Sequence, residues 1–332
     1  MLKKVERGDG MDKLAVLRQY FGFPAFRAGQ QTLIDAVLSG RDALGVMPTG
    51  GGKSLCYELP ALLLPGMTLV VSPLISLMKD QVMALRNAGI PAGCINSSMS
   101  LDELRETYRD ARYGAYKLLY VAPERLLTDG FCSLAQELEI PLVAVDEAHC
   151  ISQWGQDFRP SYLKIVEFLQ RLPRRPAVAA FTATATAQVR ADIIRILQLH
   201  EPETVVTGFD RPNLRFEVLR PKDKRTALLQ LLSERRDKSG IVYCATRKNV
   251  ESVCQLLQDR GFSATRYHAG LPDQERQENQ EDFVYDRRRI MVATNAFGMG
   301  IDKSNVSFVI HYNMPKNMES YYQEAGRAGR DG

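Results

Sequence analysis

Short, uniformly apolar runs recur along the first part of the chain, at residues 43–46, 68–71, 117–121, 142–145 and 177–181. Runs of this length without alternation fit strands covered on both faces, as in a parallel sheet. Between them lie stretches with apolar or charged faces at helical spacing, such as 77–86 and 101–112. Strand and helix in alternation predict a mainly parallel sheet with helices on both faces. After a further helical stretch, 190–199, the pattern turns irregular through Glu201-Pro202-Glu203 and Asp210-Arg211-Pro212-Asn213. It then restarts with strand-like runs at 240–244, 264–268, 290–294 and 307–311. The expectation is an α/β chain of two tandem domains, 1–207 and 208–332, with no short repeat or low-complexity tract.

Candidate chemistry concentrates after the first run. Residues Met47-Pro48-Thr49-Gly50-Gly51-Gly52-Lys53-Ser54 sit between a strand and a helix-like segment, 55–60. A glycine turn in that setting aims backbone N–H groups at an anion, and the helix dipole favours negative charge there. Thr49, Gly50, Gly51 and Gly52 would wrap a triphosphate. Lys53 would reach its β- and γ-phosphates, and the Ser54 hydroxyl would complete a Mg²⁺ shell. The strict lysine-loop pattern has glycine where Met47 stands, and a chance Gly-Lys-Ser is the competing reading.

A second constellation, Asp146-Glu147-Ala148-His149, follows the run at 142–145. Ligands bind at the carboxyl ends of strands in doubly wound sheets. Asp146 is therefore expected to hold Mg²⁺ through water, and Glu147 to polarise the attacking water. Two carboxylates on a solvated turn would read the same way in isolation. Together with the lysine loop they read as a nucleotide-hydrolysis site that works by positioning and charge stabilisation.

Length and composition narrow the setting without choosing the function. At 332 residues two domains are expected, and 45% hydrophobic with 25% charged residues fits an ordinary globular protein. No apolar stretch approaches the roughly 20 residues that span a bilayer. Residues 1–7 lack the apolar core of a signal peptide. Six cysteines never form a Cys-x-x-Cys pair, so no zinc site is read from them. They are expected as small core residues in a reducing cytoplasm, or at the nucleoid in a bacterium. A net charge of +4 is too small to argue nucleic-acid binding by itself.

The last residues, Gln323-Glu324-Ala325-Gly326-Arg327-Ala328-Gly329-Arg330, place two arginines three apart, hence on one face if helical. Arginine suits bidentate contact with phosphate, so Arg327 and Arg330 are candidates to reach a γ-phosphate across a domain cleft. A solvated basic helix end accounts for the same pair. The hydroxyls of Thr182, Thr184 and Thr186 could hydrogen-bond across the cleft or cap the next helix.

In these motifs the chain resembles the helicase core of the RecQ family of ATP-dependent DNA helicases, in helicase superfamily two, from about residue 17 to 332. The resemblance implies two RecA-like domains. It assigns residues 47–54 to motif I, 71–81 to motif Ia, 120–126 to motif Ib, 146–149 to motif II and 182–184 to motif III. Residues 241–247, 293–302 and 323–330 correspond to motifs IV, V and VI, of which V and VI contact DNA backbone and ATP in related enzymes. Residues 21–30 look like the family's adenine-reading segment. There Gln30 would bond the base edge, Arg27 would assist and Phe23 would stack on the ring.

Residues 150–160 resemble the family's aromatic-rich loop after motif II and contain the only tryptophan. Trp154 or Phe158 would stack on an unpaired base while Arg159 contacts phosphate, reporting DNA binding to the hydrolysis site. In isolation Trp154 would read as a core aromatic. Family members usually continue past motif VI with a zinc module and a winged helix, and neither is read from this sequence. The implied activity is ATP-driven, 3′-to-5′ translocation on single-stranded DNA and unwinding of partially duplex DNA in repair and recombination. An ATP-gated DNA-binding module without unwinding and an RNA helicase of the same superfamily are the alternatives.

Overall fold

The apolar runs form strands whose successive residues enter opposite sides of a sheet. The computed structural model describes residues 12–48, 50–155, 157–208, 211, 213–297, 303 and 305–329. Its chain divides into two compact units, 1–209 and 210–332.

In unit 1 the strands are β1 (Ala43–Val46), β2 (Thr68–Val71), β3 (Ala92–Ile95), β4 (Leu118–Val121), β5 (Leu142–Val145), β6 (Ala177–Thr182) and β7 (Glu203–Val206). They pair in parallel in the order β3-β4-β2-β5-β6-β1-β7. Leu44, Val46, Leu69, Val71, Val143 and Val145 enter one core, and Ala43, Val70, Leu142, Ala144 and Phe181 enter the other. That two-sided division is why these strands read as unbroken apolar runs instead of alternating ones.

Two strands depart from the sequence reading. The segment beginning at Glu203, taken above as irregular, forms β7, which pairs with β1 at the sheet's edge. Its residues alternate between half-buried and exposed, so it never shows an apolar run. β3 lies at the other edge, and Gly93 and Cys94 interrupt its pattern. The helix Leu101–Arg112 coincides with the sequence expectation because Ser100 and Glu103 form a reciprocal capping box at its start. Asp42 locks the amino ends of the central strands. Its buried carboxylate accepts N–H groups from Val178 (2.8 Å) and His200 (2.7 Å) and pairs with Arg175.

Unit 2 repeats the scheme in smaller form. Strands β8 (Ser239–Tyr243), β9 (Ala264–Tyr267), β10 (Ile290–Ala293) and β11 (Val306–His311) pair in parallel in the order β11-β8-β10-β9. Val242, Val292 and Phe308 face one core with the helix Arg247–Asp259, while Ile241, Met291 and Phe297 face the other. No helix among the described residues is long and apolar enough to cross a membrane.

Candidate active site

Strand order brings the chemistry-bearing loops together at the carboxyl end of the unit 1 sheet. Asp146 donates its backbone N–H to the Val71 carbonyl (2.9 Å), and Met47 donates to the Thr182 carbonyl (3.0 Å). The carboxyl ends of β2, β5, β6 and β1 therefore sit side by side, as neighbours in the sheet. Backbone hydrogen bonds thus set the starting points of the lysine loop and the acidic pair.

The lysine loop is bound to the segment that precedes it. Gly50 and Gly52 both adopt φ 79°, in the left-handed region. Lys53 Nζ donates to the Met47 carbonyl (3.2 Å), bending the ammonium back over the loop. Gln30 is buried; its Oε1 accepts the Arg27 N–H (2.8 Å), and its Nε2 donates to the carbonyls of Gly52 (3.1 Å) and Gly51 (3.4 Å). Arg27 donates to the Gly50 carbonyl. Two of the three adenine candidates, Gln30 and Arg27, thus shape the lysine loop itself. Having committed its amide protons to the loop, Gln30 retains a carbonyl lone pair to offer an adenine amine. Phe23 is exposed, with its ring available for stacking. Ser54 opens the helix Leu55–Leu63, yet its hydroxyl makes no capping bond. Thr49 lies outside the described residues.

Asp146 is nearly buried and its Oδ1 accepts the Glu147 N–H (2.9 Å). Burial and the adjacent Glu147 charge push its pKa up to about 7, while Lys53 pulls it down. A buried carboxylate next to a second, partly exposed one favours a cation. The oxygen donors of Ser54 and Asp146 fit Mg²⁺, a hard ion that takes oxygen ligands and retains waters. Among the described residues no cluster of three or more His, Cys, Asp or Glu side chains forms a ready metal cage. Glu147 has φ 46°, a left-handed conformation rarely taken by a side-chain-bearing residue.

Three supporting contacts around the acidic pair escape sequence reading, although His149 and Thr182 are themselves motif residues. Thr182 Oγ1 donates to the Thr184 carbonyl (3.0 Å), so it accepts from His149 Nδ1 (2.9 Å), which also lies 3.3 Å from Glu147. Burial opposes charge on His149, but the Cys150 sulfur and the Glu147 carboxylate outweigh it and raise its pKa to about 10. His149 therefore ties the carboxylate of Glu147 to the end of β6. Tyr162, fully buried, donates to the Asp146 carbonyl (2.8 Å). Asp192 accepts from Ser152 (2.7 Å), anchoring the loop that follows. None of the three has a local sequence signal, because each partner is brought in by topology. Thr186 caps the helix Ala187–Ile196 through Val189 N–H, one of the two roles expected for these threonines.

The loop after His149 has a rigid root and an exposed tip. Arg159 N–H donates to the Cys150 carbonyl (2.9 Å), closing the loop, and Trp154 N–H donates to Ser152 Oγ (3.2 Å). A Cβ at Gly155 would come within 2.2 Å of the His149 carbonyl oxygen, so the turn packs directly against motif II. Trp154 itself is 76% exposed, which removes the core-aromatic reading. Phe158 is half-buried. Arg159 pairs with Asp157 (2.6 Å) and donates to the Pro73 carbonyl (3.0 Å), joining this loop to motif Ia. To meet a phosphate it would have to exchange one of those partners. Gln156 lies outside the described residues.

In unit 2 the helix Met318–Ala325 ends before the arginines. Arg327 occupies the turn that follows, its N–H donating to the Glu324 carbonyl (3.3 Å). The residue is 9% exposed, and its Nε has no hydrogen-bond partner among the described residues. A guanidinium so placed gains from an anion. Arg330 and motif V residues 298–302 lie outside the described residues.

Two parallel-sheet units, the first bearing a lysine loop beside an acidic pair, define a tandem RecA-like core of helicase superfamily two. The DEAD/DEAH box helicase model matches residues 27–193, and the helicase conserved C-terminal domain model matches 223–332. The chain is 51% identical over 319 residues to the ATP-dependent DNA helicase RecQ of Bacillus subtilis, covering 96% of this chain and 54% of that protein. It is 48% identical over 318 residues to the RecQ helicase of Pasteurella multocida, covering 96% and 50%. Among solved structures, Saccharomyces cerevisiae Dbp5 bound to RNA and ADP BeF3 superposes with a TM-score of 0.73 at 19% identity, over 96% of this chain and 84% of that one. The chain belongs to the RecQ family of ATP-dependent DNA helicases, and it spans about half the length of the curated relatives it matches.

Proposed function

We propose that this chain is a DNA-stimulated ATPase that couples ATP hydrolysis to 3′-to-5′ translocation on single-stranded DNA and to duplex unwinding, in DNA repair and recombination in the cytoplasm. The observation that carries the reading is the Trp154 loop. Its exposed aromatic tip and its Gly155 turn, which packs on the His149 carbonyl, lie one short segment after the acidic pair. Stacking of a base on Trp154, worth roughly 1–3 kcal/mol and tolerant of sequence, would act on a loop rooted beside the hydrolytic residues.

In this reading Gln30, Arg27 and Phe23 receive adenine, and Thr49, Gly50, Gly51 and Gly52 present N–H groups to the phosphates. Lys53 neutralises the β- and γ-phosphates. Mg²⁺, held by Ser54 and Asp146, would supply charge neutralisation at those oxygens. Glu147 orients the attacking water and takes its proton, and His149 keeps the Glu147 carboxylate in register with the end of β6. Arg327, with Arg330, stabilises charge developing on the γ-phosphate. Phe158 extends the stacking surface beside Trp154, and Arg159 can trade Asp157 for a DNA phosphate.

The test is strand displacement on a duplex with a 3′ single-stranded tail, with a 5′-tailed duplex and a matched RNA as comparisons. Displacement that requires ATP and the 3′ DNA tail is the expected result. ATP-dependent DNA binding without displacement would reduce the chain to a gated binding module. Equal stimulation by RNA would remove the DNA assignment.

A further inference from the structure

The turn that carries Arg327 is fastened at both ends, and one fastening comes from the first residues of unit 2. On the near side, Glu324 accepts from His311 Nε2 (2.8 Å), whose ring lies between Tyr243 and Tyr321 at centroid distances of 5.8 and 5.0 Å. On the far side, Gly329 donates its N–H to the Val306 carbonyl (2.9 Å). The Gly329 carbonyl accepts from Arg211 Nη2 (2.5 Å) and from Asn213 Nδ2 (2.7 Å). Arg211 also reaches the Ala328 carbonyl (3.3 Å), and its Nε donates to Asn213 Oδ1 (3.3 Å), so the two side chains brace each other. Gly329 has φ 61°, and a Cβ there would meet Asn213 Nδ2 at 2.7 Å.

We propose that Arg211 and Asn213 are positioning residues for Arg327, holding the carbonyl two residues beyond it so that its guanidinium is presented to the phosphate. The inference rests on the reading of Arg327 given above. Carbonyls past a helix end lack intrahelical partners and sit at the negative end of its dipole. A guanidinium on such a carbonyl makes a charge-assisted bond, stronger than the neutral bond a backbone amide would supply. Released at Gly329, the turn would lose its two side-chain fastenings and keep its backbone bonds to Glu324, Ala325 and Val306. Misplacement of a catalytic group by about 1 Å costs on the order of 10²-fold in rate, so a partial release is felt in turnover before it is felt in folding.

The experiment is a double-mutant cycle on the full chain, with steady-state ATP hydrolysis on single-stranded DNA as readout. Arg211→Ala is expected to lower kcat about 10-fold with the KM for ATP within about twofold, and the milder Asn213→Ala to lower it about threefold. Arg211→Lys, which keeps a charged donor, is expected to recover part of the loss. In an Arg327→Ala background, Arg211→Ala should cause no further loss, because it acts through the missing side chain. Losses that multiply in the double variant would overturn the proposal, since a purely structural contribution behaves that way. Wild-type kcat in Arg211→Ala and Asn213→Ala, beside a crippled Arg327→Ala, would overturn the clamp alone. Wild-type turnover in Arg327→Ala would instead overturn the reading of Arg327, and the clamp's role with it.

Discussion

Glu147→Gln should hydrolyse ATP roughly 10²–10⁴-fold more slowly than the parent chain, the range lost when a positioned general base is removed. The substitution keeps the shape of the side chain, so its effect falls on chemistry. Glu147 sits at φ 46° on a turn fixed by β5, with His149 3.3 Å from its carboxylate and Thr182 behind that ring. A glutamine held in the same place can still orient water but cannot take its proton. Nucleotide binding, followed with a fluorescent ATP analogue, should stay within a few-fold while kcat collapses. Single-turnover hydrolysis at the parental rate would show that another group is the base.

Lys53→Ala should behave differently, losing turnover by about 10²–10³-fold and weakening ATP binding as well. The ammonium is the charge that Lys53 brings to the loop, and it also opposes the rise in the Asp146 pKa. Removing it takes away the loop's own neutralising charge, which affects the bound ground state as well as the transition state. The two variants therefore separate by KM, nearly unchanged for Glu147→Gln and raised for Lys53→Ala. A Lys53→Ala protein that turns over ATP normally would remove the phosphate-loop assignment.

What the sequence makes legible is what local chemistry demands. A lysine loop shows as a glycine-rich turn ending in Gly-Lys-Ser between strand and helix, and a strand covered on both faces shows as an unbroken apolar run. Both are readable in residues 43–54 and 142–147 without coordinates. The edge strands β3 and β7 are not, because Gly93-Cys94 interrupts the run in β3 and half-buried and exposed residues alternate along β7. The helical face expected for Arg327 is also replaced, since Ala325 ends the helix and the arginine lies in the next turn. The supporting contacts are the least legible. Tyr162 on Asp146, His149 on Thr182, and Arg211 with Asn213 on Gly329 join residues whose proximity is set by strand order or by the return of the chain, not by spacing.

The loop at residues 150–160 shows the same division on a small scale. Its aromatic content is plain in the sequence, but the exposure of Trp154 and the ties of Arg159 to Asp157 and Pro73 come from the fold. Those ties, with the Gly155 turn, fasten the described root of the loop to both motif Ia and motif II. In the proposed function, a base stacked on Trp154 would act through this root on the residues proposed to receive ATP.

The most direct measurement is steady-state ATP hydrolysis with and without single-stranded DNA, for the parent chain and for Trp154→Ala. The account predicts strong stimulation by DNA in the parent and a ratio of stimulated to DNA-free turnover that falls toward one in the variant. Hydrolysis indifferent to DNA, or stimulation untouched by the loss of Trp154, would contradict a motor whose DNA sensor is this loop.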